Sequence, residues 1–585
     1  MSTLFEALWN GDDDGVVRAL RDGADPETRE DGETALYRAA VGNQPVAVRL
    51  LLAAGADPAR RGGEDDADLP LCGAACGGHA EVVRALLAAG ADPDQEEGYG
   101  FTALAWAIRL GHTEVVRELL EAGAAPDRPG PDGLPPLVAA ARRGSTSCVR
   151  ALLEHGAGSR AEALDEARRW IGADMAAVLR RGLVEGGGVG DTYEAVVRRV
   201  PEDGGVTVIV ELLREDGAPT RGDERQTGHA AIATLLEGAL GLRTPHEELA
   251  RRALHCGDPA QDAWTTAVAA LTARPDETVA TAATTWCTTP DPLRRALGIQ
   301  VLAGLPGHGA RALPVLRGLA GEMGAGLRGA GGGGSASAGA GAAAEAGASA
   351  AAAAGADSVA GARAVASAGA SAGARAVASA GARAVASAGA DSVAGAGAEA
   401  GASAGPPDVP APTPPPADAP PVPREPALSL AVALGQCADP GAVPGLLGLA
   451  GHPDGEVRRQ TAAALTGLVP AGHAEAVGVL LGLSRDHEPR VRDWATLALA
   501  ELPDDTPLVR EALAARLADP DPETAAEAAR GLAIRQDPRA VEALARILAD
   551  GDPEGPARET ALAALEHVTD PRTRTRLEWT APRGR

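Results

Sequence analysis

The chain has 585 residues and a formal net charge of −26, because 80 acidic side chains outnumber 54 basic ones, all of them arginine. Non-specific nucleic-acid binding requires cations that neutralise phosphates, so this balance argues against it. The length predicts several domains or long repeat arrays, and six scattered cysteines do not form a disulfide framework. No apolar run is long enough to span a membrane, and the N-terminus lacks the features of a signal peptide. We therefore expect a cytoplasmic protein with no membrane partner.

A short sequence unit recurs five times in residues 1–158. The tetrapeptide GADP stands at Gly23, Gly55 and Gly90, and the related GAAP and GAGS follow at Gly123 and Gly156. Each copy is preceded by an apolar run: VVRALRDG, VRLLLAAG, VVRALLAAG, VVRELLEAG and CVRALLEHG. Apolar positions at helical spacing predict two short helices per unit. Such a pair cannot bury its apolar faces alone, so the units are expected to stack as a repeat array.

This unit resembles the ankyrin repeat, whose pattern is xTPLHxAAxxGHxEVVxLLLxxGA. The segments that carry the match are TALYRAA (34–40), PLCGAACGGHAEVV (70–83), TALAWAIRLGHTEVV (102–116) and PPLVAAARRG (135–144). The threonine of the pattern is kept only at Thr34 and Thr102. Its histidine is replaced by Tyr37, Cys72, Ala105 and Val138. We therefore expect the hydrogen bond that ties helix to turn in the family to be missing.

The next hundred residues carry weaker signals. Residues 159–185 are interpreted as a C-terminal cap, since Gly182 follows Gly156 too closely for a full repeat. Residues 186–255 are interpreted as a helical connector, with helices predicted over 193–200, 206–214, 228–240 and 246–254. The segment VTVIVELL within it is equally compatible with a strand.

A second repeat system follows, in residues 256–323 and 427–585. Its clearest copies are DPLRRALGIQVLAGL (291–305), DGEVRRQTAAALTGL (454–468), EPRVRDWATLALAEL (488–502) and DPETAAEAARGLAIR (521–535). They resemble the HEAT-like repeat of the phycobilisome-lyase type, and we expect a bacterial protein. In that family an arginine commonly ties neighbouring repeats. Arg458 and Arg492 keep it, whereas Ala525 and Pro556 lie near that position in later copies, where we expect the tie to be broken.

Residues 324–426 separate the two parts of this system. They are rich in Ala, Gly and Ser, and then in Pro, and are predicted to be disordered because they can bury little apolar surface. Helices predicted over 311–323 and 427–434 would be the two helices of one repeat. The tract is therefore interpreted as an insertion within that repeat, with a plain interdomain linker as the alternative.

Candidate binding residues follow from the ankyrin resemblance, which implies that partners contact the turn tips and the exposed side of each first helix. The positions on these surfaces are Trp9, Tyr99, Phe101, Arg109, Arg142 and Arg143. Aromatic and arginine side chains are frequent anchors of protein interfaces. The alternative is that Phe101 packs back on its neighbouring repeat. Cys72, Cys76 and His79 have a spacing compatible with a metal, but no second ligand pair follows, so a packing role is favoured.

The sequence predicts an all-α protein: an ankyrin array followed by a HEAT-like α-solenoid with a long disordered insertion. It contains no phosphate-binding loop, no G-x-S-x-G and no H-E-x-x-H motif. We therefore expect a non-catalytic scaffold, without cofactor or metal, that binds partner proteins on the concave faces of both arrays. The alternatives are chromophore attachment or another enzyme-associated role, implied by the lyase resemblance, and nucleic-acid binding by the HEAT-like repeats.

Overall fold

The computed structural model describes residues 3–63, 66–185, 193–202, 204–214, 217–274, 276–306, 309–331, 423–552 and 555–580. The described chain is mostly helical, with two small antiparallel sheets. It divides into two units, of which the first ends at Ala267 and the second begins at Val268, and each is described by itself. No helix in these ranges is long and apolar enough to cross a membrane. The predicted disorder of 324–426 falls largely on residues 332–422, which lie outside the described residues.

Five helix pairs form the start of the first unit. They are α1 (Thr3–Asn10) and α2 (Asp13–Arg21), α3 (Ala35–Val41) and α4 (Pro45–Ala53), α5 (Pro70–Gly77) and α6 (Ala80–Ala88), α7 (Ala103–Leu110) and α8 (Thr113–Glu121), α9 (Pro136–Arg143) and α10 (Thr146–Glu154). First helices pack on first helices and second helices on second helices. A short hairpin of two-residue strands, β1 (Arg29–Glu30) and β2 (Glu33–Thr34), precedes α3. One continuous apolar core therefore runs through the stack.

The fourth helix pair, α7 and α8, shows why each helix begins and ends where it does. Thr102 precedes α7, and its hydroxyl oxygen accepts a hydrogen bond from the backbone N–H of Ala105. Gly111 ends α7 with a φ of +77°, a left-handed conformation that costs other residues free energy. The chain can then reverse at once into α8.

Neighbouring repeats are joined by hydrogen bonds from histidine side chains. His79 Nε2 donates to the carbonyl of Val41 at 3.2 Å, and His112 Nε2 donates to the carbonyl of Cys76 at 3.0 Å. The expectation that the family's helix-to-turn hydrogen bond is missing is wrong at two positions. Tyr37 hydrogen-bonds the carboxyl of Asp68. The Cys72 thiol, likewise, is 3.8 Å from the carbonyl of Phe101 in the next turn.

A sixth helix pair completes this stack, and its two helices are far apart in sequence. They are α11 (Arg160–Trp170) and α13 (His229–Ala239). α11 packs on α9, α13 packs on α10 and α11, and the apolar residues of α13 belong to the same core. The prediction that residues 159–185 alone form the cap is therefore wrong, because the second helix of this pair is supplied by α13.

The junction before α13 repeats the geometry of the earlier pairs. His229 Nε2 lies 3.4 Å from the carbonyl of Arg142, which occupies the position in α9 that Cys76 occupies in α5. The backbone N–H of Gly228 donates to the carbonyl of Gly144 at 3.0 Å. Gly228-His229 therefore corresponds to the GH of the repeat pattern, and residues 171–227 are an insert within the sixth repeat.

This insert contains a helix and a three-stranded sheet. The elements are α12 (Met175–Glu185), β3 (Glu194–Glu202), β4 (Gly205–Leu213) and β5 (Pro219–Gln226), in the antiparallel order β3-β4-β5. The helix predicted over 193–200 is therefore wrong, the strand alternative for VTVIVELL is the one that occurs, and 186–255 is not an all-helical connector. Alternate side chains Val208, Val210 and Leu212 point to one face and pack on α12, so period-two burial favours a strand.

The first unit ends with α14 (His246–Cys256), and α15 (Asp262–Thr272) spans the boundary between units. Arg252 on α14 forms a buried bidentate pair with Glu237 on α13, with donor–acceptor distances of 2.7 and 2.9 Å. Arg168 on α11 donates to the same carboxylate at 2.9 Å. These hydrogen bonds lower the pKa of Glu237 to about 2, against the opposing effect of its burial. The three helices are joined through this one carboxylate.

Helices in two layers form the second unit. They are α16 (Glu277–Cys287), α17 (Pro292–Gly304), α18 (Gly309–Gly331), α19 (Arg424–Gln436), α20 (Val443–Leu449), α21 (Gly455–Leu465), α22 (Ala474–Leu483), α23 (Pro489–Glu501), α24 (Pro507–Arg516), α25 (Pro522–Ile534), α26 (Arg539–Asp550), α27 (Pro556–Ala564) and α28 (Pro571–Thr580). Asp291, Asp454 and Asp521 cap the helices that follow them by accepting backbone N–H groups. α17, α19, α21, α23, α25 and α27 pack successively in one layer.

The helices on either side of residues 332–422 belong to this stack. α19 packs on α17, and α18 packs on α20. The boundaries predicted for the tract are wrong at both ends, because α18 continues to Gly331 and α19 begins at Arg424. α18 and α19 therefore correspond to the two helices of one repeat, although residues 332–422 separate them in the sequence.

Buried arginines tie successive repeats of the second unit. Arg458 donates to both carboxylate oxygens of Asp486 at 2.7 and 3.0 Å, and Arg492 does the same to Asp519 at 2.9 Å. Where Ala525 replaces this arginine, Arg535 instead donates to backbone carbonyls of α23 and of the turn after it.

In the last copy the arginine position is two residues after Pro556, and the break expected there in the tie to a neighbouring repeat stays a prediction. Arg558 stands seven residues before Leu565, as Arg458 stands seven before Leu465, so it occupies the equivalent position. It is buried and donates to the carbonyl of Leu548 at 2.8 Å.

Candidate functional site

A cavity of about 330 Å³ lies between the helix stack of the first unit and the sheet of the insert. One wall consists of the first helices α7 and α9 and the turns that precede them. The other consists of β4 and β5. Its volume falls within the range of pockets that bind small molecules or single side chains of a partner. The insert in the sixth repeat therefore creates a site that the stacked helices alone would not have.

Two stacked aromatic rings form part of the helical wall. The centroids of Phe101 and Trp106 are 4.2 Å apart with an interplanar angle of 21°. The indole N–H of Trp106 donates to Glu97 at 2.8 Å, which fixes the ring. Burial raises the pKa of Glu97 to about 7, although this hydrogen bond lowers it. The guanidinium carbon of Arg109 lies 5.8 Å from the Phe101 ring.

Arg143 joins the two walls. It is buried and donates to the backbone carbonyl of Glu224 at 2.6 Å and to its side chain at 2.5 Å. It also donates to the carbonyl of Leu110, the last residue of α7, at 3.2 Å. One guanidinium therefore holds β5 against the C-terminal ends of α7 and α9.

A second arginine from the helices and one from the sheet meet near α11. Arg142 donates to Glu166 at 2.7 Å. Arg225 of β5 lies over the ring of Trp170, with its guanidinium carbon 4.9 Å from the ring centroid. The pKa of Arg225 is lowered by burial and by the positive charges of Arg142 and Arg143. Three arginines therefore meet at this end of the cavity, together with the carboxylates of Glu166, Asp223 and Glu224.

His229 lies beneath the sheet and beside this arginine cluster. It is buried, and its ring centroid is 6.2 Å from that of Trp170. Burial, together with the charge of Arg225, lowers the pKa of His229 to about 4. The imidazole is therefore neutral at physiological pH.

Comparison with protein families identifies both arrays. A model of ankyrin repeats, in three copies, matches residues 4–97 and 71–163. Residues 4–163 are ankyrin repeats. A model of HEAT repeats matches residues 424–500 and 509–581, so the C-terminal region carries HEAT repeats. Neither match supports the phycobilisome-lyase type or a bacterial origin. No curated protein matches the chain.

Four of the six predicted binding residues line the cavity of the ankyrin part: Phe101, Arg109, Arg142 and Arg143. The structure ties two of these internally, Arg142 to Glu166 and Arg143 to Glu224. Phe101 stacks on Trp106 of its own repeat. Arg109 is exposed at the cavity.

The other two predicted residues lie outside the cavity. Trp9 is 48% exposed, and the guanidinium carbon of Arg38 lies 3.5 Å from its ring centroid. Tyr99 is 40% exposed at the turn before α7. Tyr99 and Phe101 are thus close in sequence, but only Phe101 faces the cavity.

Sequence reasoning missed Trp106, Arg225 and the whole sheet wall. Trp106 occurs within the quoted repeat segment, but its role depends on Glu97, which no pattern singles out. The wall could have been found from Gly228-His229, the repeat's own GH pair, which indicates that α13 belongs to the stack. The insert between α11 and α13 would then have become a candidate to cover the neighbouring first helices.

The spacing of Cys72, Cys76 and His79 does not correspond to a shared site. His79 is bonded to the carbonyl of Val41, and the Cys72 thiol faces the carbonyl of Phe101. Burial raises the pKa of the Cys76 thiol to about 11, which disfavours the thiolate that binds metals. No group of three or more potential metal ligands occurs in the described part of the chain.

Four carboxylates of the HEAT repeats, those of Asp493, Asp521, Glu523 and Glu527, lie near one another beside α23. Burial and the nearby carboxylates of Asp521, Glu523 and Glu527 raise the pKa of Asp493 to about 7. Such a concentration of negative charge repels phosphate groups.

Proposed function

We propose that this protein is a non-catalytic scaffold that binds a partner protein at the cavity between the ankyrin first helices and the sheet. Ankyrin and HEAT repeats generally serve as protein-interaction scaffolds. In this proposal a segment of the partner enters between the two walls and also contacts the exposed turn that carries Tyr99. The observation that carries the proposal is the cavity itself, which combines fixed aromatic rings with arginine side chains on the first helices.

The aromatic wall supports the proposal because its geometry is set before any partner arrives. Trp106 is fixed by Glu97, and Phe101 is stacked on it, so little side-chain entropy is lost on binding. Arg109 is exposed at the rim, where a charged side chain can select partners by electrostatic complementarity.

The experiment is affinity capture from a lysate of the source cells, with the full-length chain as bait. The test variant is Tyr99→Ala/Phe101→Ala/Arg109→Ala. The control variant is Val46→Ala/Arg49→Ala, which changes exposed side chains on the second helix α4. The proposal expects one protein to be captured by the wild type and the control but lost by the test variant. Equal capture by all three baits would place binding elsewhere and contradict the proposal.

The two alternatives from sequence receive less support. The four carboxylates around Asp493 disfavour nucleic-acid binding at that part of the HEAT repeats. Chromophore attachment depends on the phycobilisome-lyase resemblance, and no described cluster of side chains favours it. Protein binding is therefore preferred over both alternatives, and the HEAT repeats offer a second surface for it.

A further inference from the structure

Two arginines that line the cavity have a buried side-chain nitrogen without a hydrogen-bond partner among the described residues: Arg143 at Nε and Arg225 at Nη1. Nη1 of Arg225 is buried and has no hydrogen-bond partner in the described structure, nor does Arg225 form an ion pair there. Arg142 and Arg143 differ from Arg225 in that each has a carboxylate partner, Glu166 and Glu224 respectively. A buried donor without a partner is costly, so an incoming oxyanion that accepts its hydrogen bond would bind strongly.

The position of Arg225 is fixed by the ankyrin cap. Its guanidinium lies 4.9 Å from the ring centroid of Trp170, and the indole N–H of Trp170 donates to Glu166 at 3.2 Å. A guanidinium stacked on a fixed ring presents its remaining N–H groups in a planar fork, which matches a carboxylate. Arg225 is therefore preorganised for an anion.

The stacked rings of Phe101 and Trp106 line the same cavity. They offer an apolar surface on which a planar group can stack or pack edge-on. A ligand that satisfies both parts of the cavity therefore needs one anionic group and one planar apolar group.

The charges that line the cavity limit the charge of the ligand. Five arginines and four carboxylates line it, and Arg142 and Arg128 are also paired with Glu166 and Glu96, which lie outside the lining. Arg225 is a lining arginine to which no ion pair is assigned in the described structure, and the repulsion from Asp223 and Glu224 is weaker for a monoanion than for a phosphate dianion. These observations favour a carboxylate over a phosphate.

We propose that the cavity binds a carboxylate attached to a planar apolar group, with the carboxylate on Arg225 and the apolar group on Phe101 and Trp106. Two sources share this chemistry: an acidic side chain beside an aromatic one in a partner protein, or a free aromatic carboxylic acid. The first source rests on the proposed function, and the second does not.

The test is calorimetric titration of the full-length chain with three probes: 3-phenylpropionate, its neutral amide, and the blocked peptide acetyl-Gly-Asp-Phe-Gly-amide. We expect the amide to bind about tenfold more weakly than the acid, because it lacks the charge-assisted hydrogen bond. In Arg225→Gln, affinity for the acid and the peptide falls about tenfold while affinity for the amide is unchanged. Arg221→Gln, on the same strand but outside the cavity, leaves all three affinities unchanged.

The relative affinities of the peptide and the free acid assign the source. Equal binding of acid and amide, unchanged binding in Arg225→Gln, or no binding of any probe overturns the inference. These outcomes are independent of affinity capture. A partner lost by the Tyr99/Phe101/Arg109 variant supports the proposed function even if the probes fail, and probe binding without a captured partner supports this inference alone.

Discussion

Each part of the chain contains a repeat whose two helices are separated by a long stretch of sequence, and the two stretches differ. In the ankyrin part, the insert between α11 and α13 forms α12 and a sheet that packs against the first helices. In the HEAT part, residues 332–422 separate α18 from α19 and consist chiefly of Ala, Gly, Ser and Pro. Only the first insert supplies alternating large apolar side chains, such as Val208, Val210 and Leu212, that can form a core. The first insert can therefore fold against the repeats and line the candidate cavity, because it has an apolar face of its own.

The two arrays also differ in how they join their repeats. In the ankyrin repeats histidine side chains donate to carbonyls of the preceding repeat, for example His112 to Cys76. Ion pairs such as Arg142 with Glu166 occur beside them. The HEAT repeats use buried ion pairs, for example Arg458 with Asp486. Removing one partner of a buried ion pair strands the other charge, whereas an exposed pair can be broken at little cost. The predictions below measure these differences by hydrogen exchange, which reports the opening free energy of individual helices.

The largest effect is expected from Arg458→Met. The substitution leaves the buried carboxylate of Asp486 without its partner, so the opening free energy of α21 and α23 should fall by about 3–5 kcal/mol. The control is Arg311→Met, because the Arg311–Glu277 pair of the same array is about 70% exposed on both sides. Its removal should cost less than about 1 kcal/mol. Equal losses in the two variants would show that the buried pair does not hold the repeats together.

The second largest loss of stability is expected from Gly144→Ala, which tests the contact between β5 and the turn that follows α9. Gly144 has a φ of +82°, and a Cβ there would lie 2.2 Å from the carbonyl oxygen of Gln226 in β5. Gly156 has the same φ, but nothing lies within 4 Å of its Cβ position. We expect Gly144→Ala to lower the opening free energy of β5 by about 3 kcal/mol, and Gly156→Ala to cost only the backbone strain, about 1 kcal/mol. Equal costs would mean that the sheet does not rest on this turn.

A pH effect should distinguish the split repeat from the continuous ones. The pKa of His229 is lowered to about 4 in the folded chain from an ordinary value of 6.5. The unfolded chain therefore binds a proton first as the pH falls, and stability is lost below pH 6.5. Between pH 6.5 and 5 the loss is about 2 kcal/mol.

Comparison with His229→Gln isolates this contribution from other titrating groups. Exchange of α13 is measured in both proteins across the same pH range. The difference between them should shrink as the pH falls, because only the wild type pays for protonation of the imidazole. A difference that is independent of pH would contradict the burial of a neutral His229.

The smallest effect is expected from Arg84→Met in the ankyrin part. Arg84 pairs with Glu118 across neighbouring second helices, but its side chain is 60% exposed. The loss should be at most about 1 kcal/mol in the exchange of α6 and α8. A loss as large as that of Arg458→Met would remove the distinction between the two arrays.

The repeat units could be predicted from sequence because each one carries its own signals. Apolar spacing, the glycine after each first ankyrin helix and the aspartates before three of the HEAT helices are local features. The split ankyrin repeat could not be found from spacing, because α13 follows α11 only after the whole insert. The sequence alone does not decide between helix and strand for VTVIVELL, because the period-two burial of its side chains depends on α12, which lies outside the segment.

The candidate site was predictable only on one wall. The ankyrin resemblance pointed to Phe101, Arg109, Arg142 and Arg143, and all four line the cavity. Which of these arginines is available to a ligand depends on contacts between distant segments, such as the 81 positions that separate Arg143 from Glu224. Arg225 stands in a segment with no repeat pattern, so no sequence signal assigned it a role.

The most direct test of the central claim is partner capture by two variants, each of which fills the cavity from a different wall. Ala105→Trp places a large side chain on α7, and Ile209→Trp places one on β4, and both positions line the cavity. The yield of the captured partner is then compared with that of the wild type, after hydrogen exchange has shown that both variants are folded. The account predicts that both substitutions abolish capture. Undiminished capture by a folded Ile209→Trp variant would show that the sheet is not a wall of the binding site.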